Sequence, residues 1–365
     1  MLTEREKKDK IASVMEKGNS MEPILNQRDS GKRLLYIDFL NIAACFGVVA
    51  MHCTGKVFVF DASKEWFFSM LLQAVFHFSI PVFFMISGAT LMNYREKYST
   101  KEFLKRRFLR AGVPFLLWSG VMLIYKIAIG ELQAPIGPRS FLNLFLNNEI
   151  QNIYWFFYAI FGIYAAMPLL SLLARNDHRK AVEWYLLLFF LFRAVVPLLR
   201  LAGIRITGYF EIPGIAGYFG YVLMGWYLST VSLKKHMRLL LYACGIFSAG
   251  LMFFGTYYLS ARAGTTDSLL MDYTSVCTML LACAVFVFAK HLEFKESWAG
   301  ILRLFSAASL GIYLLQMIPI NEIYRHAPEA CSIPFMIGET LCVYGGCFAV
   351  VAVIQKIPGI RKIFP

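Results

Sequence analysis

Between residues 34 and 355 the sequence returns ten times to an apolar run of about twenty residues, each long enough to cross a ~30 Å hydrocarbon core as a helix. The runs lie near 34–54, 66–92, 112–130, 153–174, 182–199, 214–230, 238–259, 269–289, 302–322 and 334–355. A chain written this way predicts an all-α, polytopic membrane helix bundle. Only 16% of the residues are charged, against roughly 25% in a soluble domain, and 58% are hydrophobic, so lipid is the main solvent. Pro197, Gly203, Gly208, Pro213 and Gly214 interrupt the pattern and make the fifth and sixth runs the least regular.

The formal net charge of +13 raises nucleic acid, an anionic membrane surface or an acidic ligand as partners, and the positions of the charges decide among them. Eight Lys and Arg precede the first run, and seven, three, three, three and three follow the second, fourth, sixth, eighth and tenth, counting Arg238 and Arg303 at the edges of the next runs; the intervening segments hold two, one, two, one and one. This alternation predicts both termini in the cytoplasm and uses up most of the positive charge, leaving no basic surface for nucleic acid. Residues 1–33, polar and of mixed charge, read as a disordered cytoplasmic tail, 34–358 as one membrane domain and 359–365 as a short cytoplasmic tail. MLTEREKKDK has no apolar core or small-residue cleavage site, so it is not read as a removable signal peptide. The eight cysteines show no C-x-x-C pair and are read as small hydrophobes rather than a disulfide framework.

The first run, Tyr36 to His52, carries Asp38, Asn41, Cys45 and His52 within roughly 60° of one another at ~100° per residue. Asp38 and His52 lie some 21 Å apart at 1.5 Å per residue, too far to pair. Asp38, near the cytoplasmic end, either caps the helix or orients a basic partner. His52, near the outer end, carries an imidazole able to act as general base and return the proton as acid near neutral pH.

Tyr98 to Pro114, YSTKEFLKRRFLRAGVP, reads as a short cytoplasmic helix with Ser99 and Glu102 in a capping box and Arg106, Arg107 and Arg110 alternating with apolar residues. It is either an anchor on anionic headgroups or a grip for the phosphates of a nucleotide-like cofactor.

Polar groups within the other runs are functional candidates beside plainer readings. His77 is either a buried, satisfied histidine or part of a site. Ser87 and Gly88 point to close helix packing, or Ser87 offers a hydroxyl along a cofactor path. Lys126 can snorkel to the outer interface, Arg193 faces the bundle interior or an outer cavity, and Gln316 is a neutral polar group that helix contacts explain. The sequence has no P-loop, G-x-G-x-x-G, H-E-x-x-H or G-x-S-x-G, and its six histidines do not cluster at ligand spacings, so no metal is expected.

From about Arg33 to the C-terminus the sequence resembles the integral-membrane acyltransferase 3 family of bacterial cell-envelope O-acyltransferases. The residues that carry the likeness are Asp38 with His52, SIPVFFMISG (Ser79–Gly88), RRFLRAGVP (Arg106–Pro114), YWFFYAIFGIYAAMPLL (Tyr154–Leu170), GYVLMGWYLS around Gly225, and SLGIYLL (Ser309–Leu315). The resemblance implies transfer of an acyl group, commonly acetyl, from cytoplasmic acyl-coenzyme A (acetyl-CoA) to an acceptor at or across the bacterial plasma membrane. It makes His52 the proton acceptor, with Asp38 and Asn41 beside it in the candidate catalytic set. It sets Arg107 and Arg110, with Arg106, near the coenzyme A phosphates, and makes Trp155 and Tyr158 liners of the acceptor or acyl path. Many members have Arg where this chain has Asn41, and His where it has Gln316. His77, Arg193 and Gln316 join Trp155 and Tyr158 as candidate substrate-binding residues, and Ser87 joins the arginines.

The resulting expectation is a membrane O-acyltransferase acting on a cell-surface polysaccharide or glycolipid, with the bilayer, acyl-CoA and polysaccharide-assembly proteins as partners. The alternatives are a transporter or flippase for an envelope glycan precursor, and an inactive relative that senses or scaffolds.

Overall fold

A computed structural model describes residues 34–133, 136–204, 206–207, 215, 217–327 and 331–359. The expected tail at 1–33 and the chain beyond Gly359 lie outside the described residues. Among those described the fold is entirely helical, with no strand. Its α-helices are α1 (Leu35–His52), α2 (Lys64–Phe76), α3 (Ser79–Leu91), α4 (Thr100–Arg107), α5 (Val113–Ala128), α6 (Pro138–Leu146) and α7 (Trp155–Leu170). They continue with α8 (Arg179–Phe190), α9 (Phe219–Thr230), α10 (Lys235–Ala263), α11 (Val276–Lys290), α12 (Ala299–Leu315), α13 (Met317–His326) and α14 (Ile333–Ile354). Three begin on a serine whose hydroxyl accepts a first-turn N–H: Ser63 from Trp66, Ser99 from Glu102 and Ser275 from Thr278. The serine half of the capping box read at Ser99 therefore starts α4, while the Glu102 carboxylate holds Arg106 at 2.7 Å.

Nine helical stretches among the described residues are long and apolar enough to span a bilayer, and α9, at twelve residues, falls short. The packing of α1 on α12 bears on whether α9 nevertheless makes a pass. Asn41 Nδ2 donates to the Ser306 carbonyl at 2.9 Å and to Ser306 Oγ at 3.1 Å, and Cys45 Sγ lies 3.5 Å from the Ser309 carbonyl. Partners advance together along both helices, so α1 and α12 run parallel. Nine alternating passes would make α12 the eighth and antiparallel to α1; counting α9 makes it the ninth and parallel. Ten passes satisfy the register.

The helix α9 lies against α3 at backbone contact. A Cβ on Gly88 would overlap the Val222 carbonyl, and one on Gly225 would overlap the backbone of Met85. Small residues at a membrane helix crossing let backbones approach this closely, which accounts for Gly88 by packing. Phe84 stacks on Tyr218 and Asn93 accepts from Trp226 Nε1 at 3.2 Å, so α3 and α9 are also parallel.

Several expected runs are broken, and proline explains where. The second splits at His77–Phe78 into α2 and α3, and Pro81 cannot donate to the His77 carbonyl. The ninth turns at Gln316 between α12 and α13, with Pro319 unable to donate to Leu315. Pro114 and Pro197 stand four residues after Arg110 and Arg193, each of which lies in a five-residue π-helical turn, Phe108–Gly112 and Leu191–Val195. The breaks thus fall on the polar residues.

Contacts define two ends of the bundle. Asn93–Trp226, Lys290 Nζ on the carbonyls of Leu228 and Val231 (2.7 Å each), and Arg95 on Ser171 and Pro168 gather at one end with the basic α4 segment. At the other end lie His52, the loop after it, Gln316, and residues 265–275, where Thr266 Oγ1 donates to the Val57 carbonyl at 2.9 Å. Lys126, expected to snorkel, pairs with Glu131 at 3.4 Å.

Candidate active site

His52 is the last residue of α1, and the Gln316 side chain reaches its imidazole from the break after α12. Gln316 is fully buried and its Nε2 donates to the Tyr313 carbonyl at 3.2 Å. Neither His52 Nδ1 nor Gln316 Oε1 completes a hydrogen bond of good geometry, although both atoms are enclosed. An ionisable side chain enclosed beside a buried amide at a membrane helix joint is a functional candidate.

A second group stands at the same end. His77, at the α2–α3 break, hydrogen-bonds the Met271 carbonyl through Nε2, which leaves Nδ1 as an enclosed acceptor without a partner among the described residues. Its ring stacks on Tyr273 at 4.7 Å, and Tyr273 stacks on Trp155 at 5.6 Å. Trp155 meets Tyr218 at 5.7 Å. Tyr221 donates to the Tyr273 carbonyl and fixes that stack from α9. The two groups share a frame through Tyr313: its carbonyl holds Gln316, while its hydroxyl donates to the Ile153 carbonyl, just before Trp155. Tyr154 completes the clamp by donating to the Leu314 carbonyl at 3.0 Å.

Beside these rings Arg193, Asp272 and Thr274 line a cleft of about 540 Å³. Arg193 is half-buried and faces this cleft at the end of the bundle that holds His52.

At the opposite end Arg107 and Arg110 both lie beside the Tyr164 hydroxyl, and Arg107 also sits over the Phe103 ring at 5.8 Å. Arg106 is engaged elsewhere, with Glu102 at 2.7 Å and over Tyr98 at 5.0 Å. The helix α7 joins the two ends: Tyr164 and Trp155 are nine residues apart on it, about 14 Å at 1.5 Å per residue.

The remaining candidates fall outside these groups. Asp38 is buried in the first turn of α1, whose cap position is Leu34 with no side-chain cap, so Asp38 does not cap the helix. Asn41 is held by Ser306, and Ser87 donates to the Phe83 carbonyl of its own helix at 3.1 Å. Tyr158 turns toward α5 and α6, its hydroxyl on the Phe145 carbonyl and its ring 5.3 Å from Phe115. Sequence reasoning missed Tyr273, Asp272, Tyr218, Tyr313 and Tyr164. The first two stand in MDYTS, a polar stretch at the start of an expected run, which is the one signal that marks them.

No curated protein and no solved structure matches the chain. A family model described as an acyltransferase domain matches residues 34–355, from the start of α1 to the end of α14. On that match, which covers nearly the whole multi-pass bundle, the chain belongs to the acyltransferase 3 family of membrane acyltransferases.

Proposed function

We propose that this protein transfers an acyl group, acetyl in the simplest case, from acyl-CoA to a hydroxyl of a cell-surface polysaccharide or glycolipid at the bacterial plasma membrane. The observation that carries the reading is the enclosed His52–Gln316 pair. Nε2 of Gln316 donates to the Tyr313 carbonyl, and its enclosed Oε1 is an acceptor available to the imidazole. An acceptor there favours the tautomer with its N–H toward Gln316, leaving the other ring nitrogen to take a proton.

In the reaction the acceptor oxygen attacks the thioester carbonyl while His52 takes the hydroxyl proton. The C–S bond then breaks, and the imidazolium returns that proton to the departing thiolate, giving ester and free coenzyme A. Arg107 and Arg110 bind the phosphates at the end rich in Lys and Arg, which the charge alternation assigns to the cytoplasm. The extended pantetheine arm then follows α7 from Tyr164 toward Trp155. Asp38 belongs to the donor end, and Asn41 acts as a positioning residue that holds α1 in register with α12. His77 and Trp155 line the acceptor side.

The test is purified protein in liposomes supplied with acetyl-CoA and acceptor glycan. His52→Ala is expected to lower transfer by about 10²–10⁴-fold while inserting normally. Undiminished transfer in that variant would remove His52 from the mechanism. Movement of glycan without release of free thiol would identify a transporter, and absence of acetyl-CoA binding an inactive relative.

A further inference from the structure

The cleft beside the His77–Tyr273–Trp155 stack is built from residues that proton transfer at His52 does not use. Two arginines and two aspartates face it. Arg200 and Asp267 pair at 2.6 Å and cancel one another. Asp272 is fixed by the Thr274 N–H at 2.7 Å and its hydroxyl at 2.6 Å, and makes no ion pair with Arg193. Arg193 is therefore a cation held in the cleft wall by the π-helical turn before Pro197, with Nε enclosed and without a partner among the described residues. Tyr273, whose ring is in the stack, lies between Asp272 and Thr274 of the cleft wall, so the cleft adjoins the ring stack.

We propose that this cleft recognises the acceptor through an oxyanion, a carboxylate or phosphate carried on its sugar, which pairs with Arg193 while Asp272 accepts from neighbouring sugar hydroxyls. A guanidinium offers a carboxylate or phosphate two parallel N–H donors, a geometry that a neutral hydroxyl does not reward. A volume of about 540 Å³ lies within the ~300–1,000 Å³ of ligand sites. The phosphate-binding arginines of the donor lie at the other end, so the cleft does not duplicate them. The acyltransferase reading enters only in calling the ligand an acceptor.

The experiment is calorimetric titration of the full chain in nanodiscs of zwitterionic lipid. The probes are a glucuronate-containing tetrasaccharide, its neutral glucose counterpart and an isoprenyl phosphoryl glucose. At least one anionic sugar is expected to bind about tenfold or more tightly than the neutral one, and the tighter of the two names the oxyanion. Arg193→Gln is expected to erase that preference and Arg193→Lys to keep part of it, which separates loss of charge from misfolding. Equal binding of charged and neutral sugars, a preference that survives Arg193→Gln, or competitive displacement by phosphatidylglycerol would overturn the proposal, the last by making the cleft a phospholipid site. Thiol release from acetyl-CoA, followed in the same preparations, keeps the two readings apart. Sugar preference without thiol release leaves the cleft standing and removes the transferase; thiol release without preference does the reverse.

Discussion

Gln316 meets His52 where α1 and α12 end side by side, and its amide is divided between two duties: Nε2 anchors to the Tyr313 carbonyl while Oε1 is left for the imidazole. The pair has the form of a base and an orienting group. Gln316→Leu, which keeps bulk and removes the acceptor, is expected to lower kcat by about tenfold to a hundredfold, a part of what general-base catalysis supplies. KM for acyl-CoA should stay the same, because the proposed mechanism binds the donor phosphates at the other end. A change confined to KM in steady-state kinetics would show that Gln316 binds rather than orients.

Arg107 and Arg110 converge on Tyr164, whereas Arg106 is neutralised by Glu102. Arg107→Gln is expected to raise KM for acyl-CoA by about tenfold, the worth of a charge-assisted hydrogen bond. Arg106→Gln should change it far less. Raising the salt concentration should weaken acyl-CoA binding by the wild type more than by the Arg107 variant. Equal effects of the two substitutions would assign the segment to headgroup anchoring instead.

Gly88 has no room for a side chain, while Gly345 in α14 has open space around its Cβ position. Gly88→Ala must push α9 off α3 and is expected to cost about 1–3 kcal/mol. Gly345→Ala, in a helix interior, should stabilise by about 0.5–1 kcal/mol. Thermal unfolding in detergent, read by scanning fluorimetry, should therefore shift in opposite directions for the two variants.

In the loop after α1, Lys56 lies 2.6 Å from Asp61, and with the Ser63 hydroxyl and N–H it lowers the Asp61 carboxyl to about 2. A carboxyl depressed in the folded state contributes stability above its free value of ~3.9 and loses it as pH falls to about 2. Because the pair is part-exposed, the contribution at neutral pH is at most about 1 kcal/mol. Asp61→Asn should accordingly lower the melting temperature slightly at pH 7, with the gap to wild type closing between pH 4 and pH 2. A gap that persists at pH 2 would mean that the loop is held by something other than this charge.

The helical class and the polar face of α1 were legible because lipid imposes long apolar runs and a 3.6-residue period makes Asn41, Cys45 and His52 neighbours. Their partner was not: nothing in the period says that Ser306, Ser309 and Gln316 form the opposing stripe, since that depends on which helices meet. The prolines were visible but read only as punctuation. Their effect is positional, opening a helix four residues upstream, and that rule leads directly to His77, Arg110 and Arg193. Tyr273 and Asp272 lay at the start of what reads as a continuous apolar run, whereas the helix begins later, at Val276. Composition could not separate the turn from the span.

The parallel register of α1 and α12 makes a claim about α9 that its twelve residues alone would not support. If α9 crosses, Gly203 before it and Ser232 after it face opposite sides of the membrane, and Thr265, after α10, returns to the side of Gly203. Single cysteines at these positions, in a background lacking the native cysteines, should divide accordingly when intact cells are treated with a membrane-impermeant maleimide. Gly203→Cys and Thr265→Cys are expected to label together, and Ser232→Cys only after permeabilisation, since the Lys- and Arg-rich end is the cytoplasmic one under the charge rule. Labelling of Gly203→Cys and Ser232→Cys in intact cells, with Thr265→Cys protected until permeabilisation, would place α9 as a re-entrant segment. That result would leave the hydrogen bonds from Asn41 to Ser306 incompatible with an alternating chain, so the measurement tests the packing of α1 and the number of passes at once.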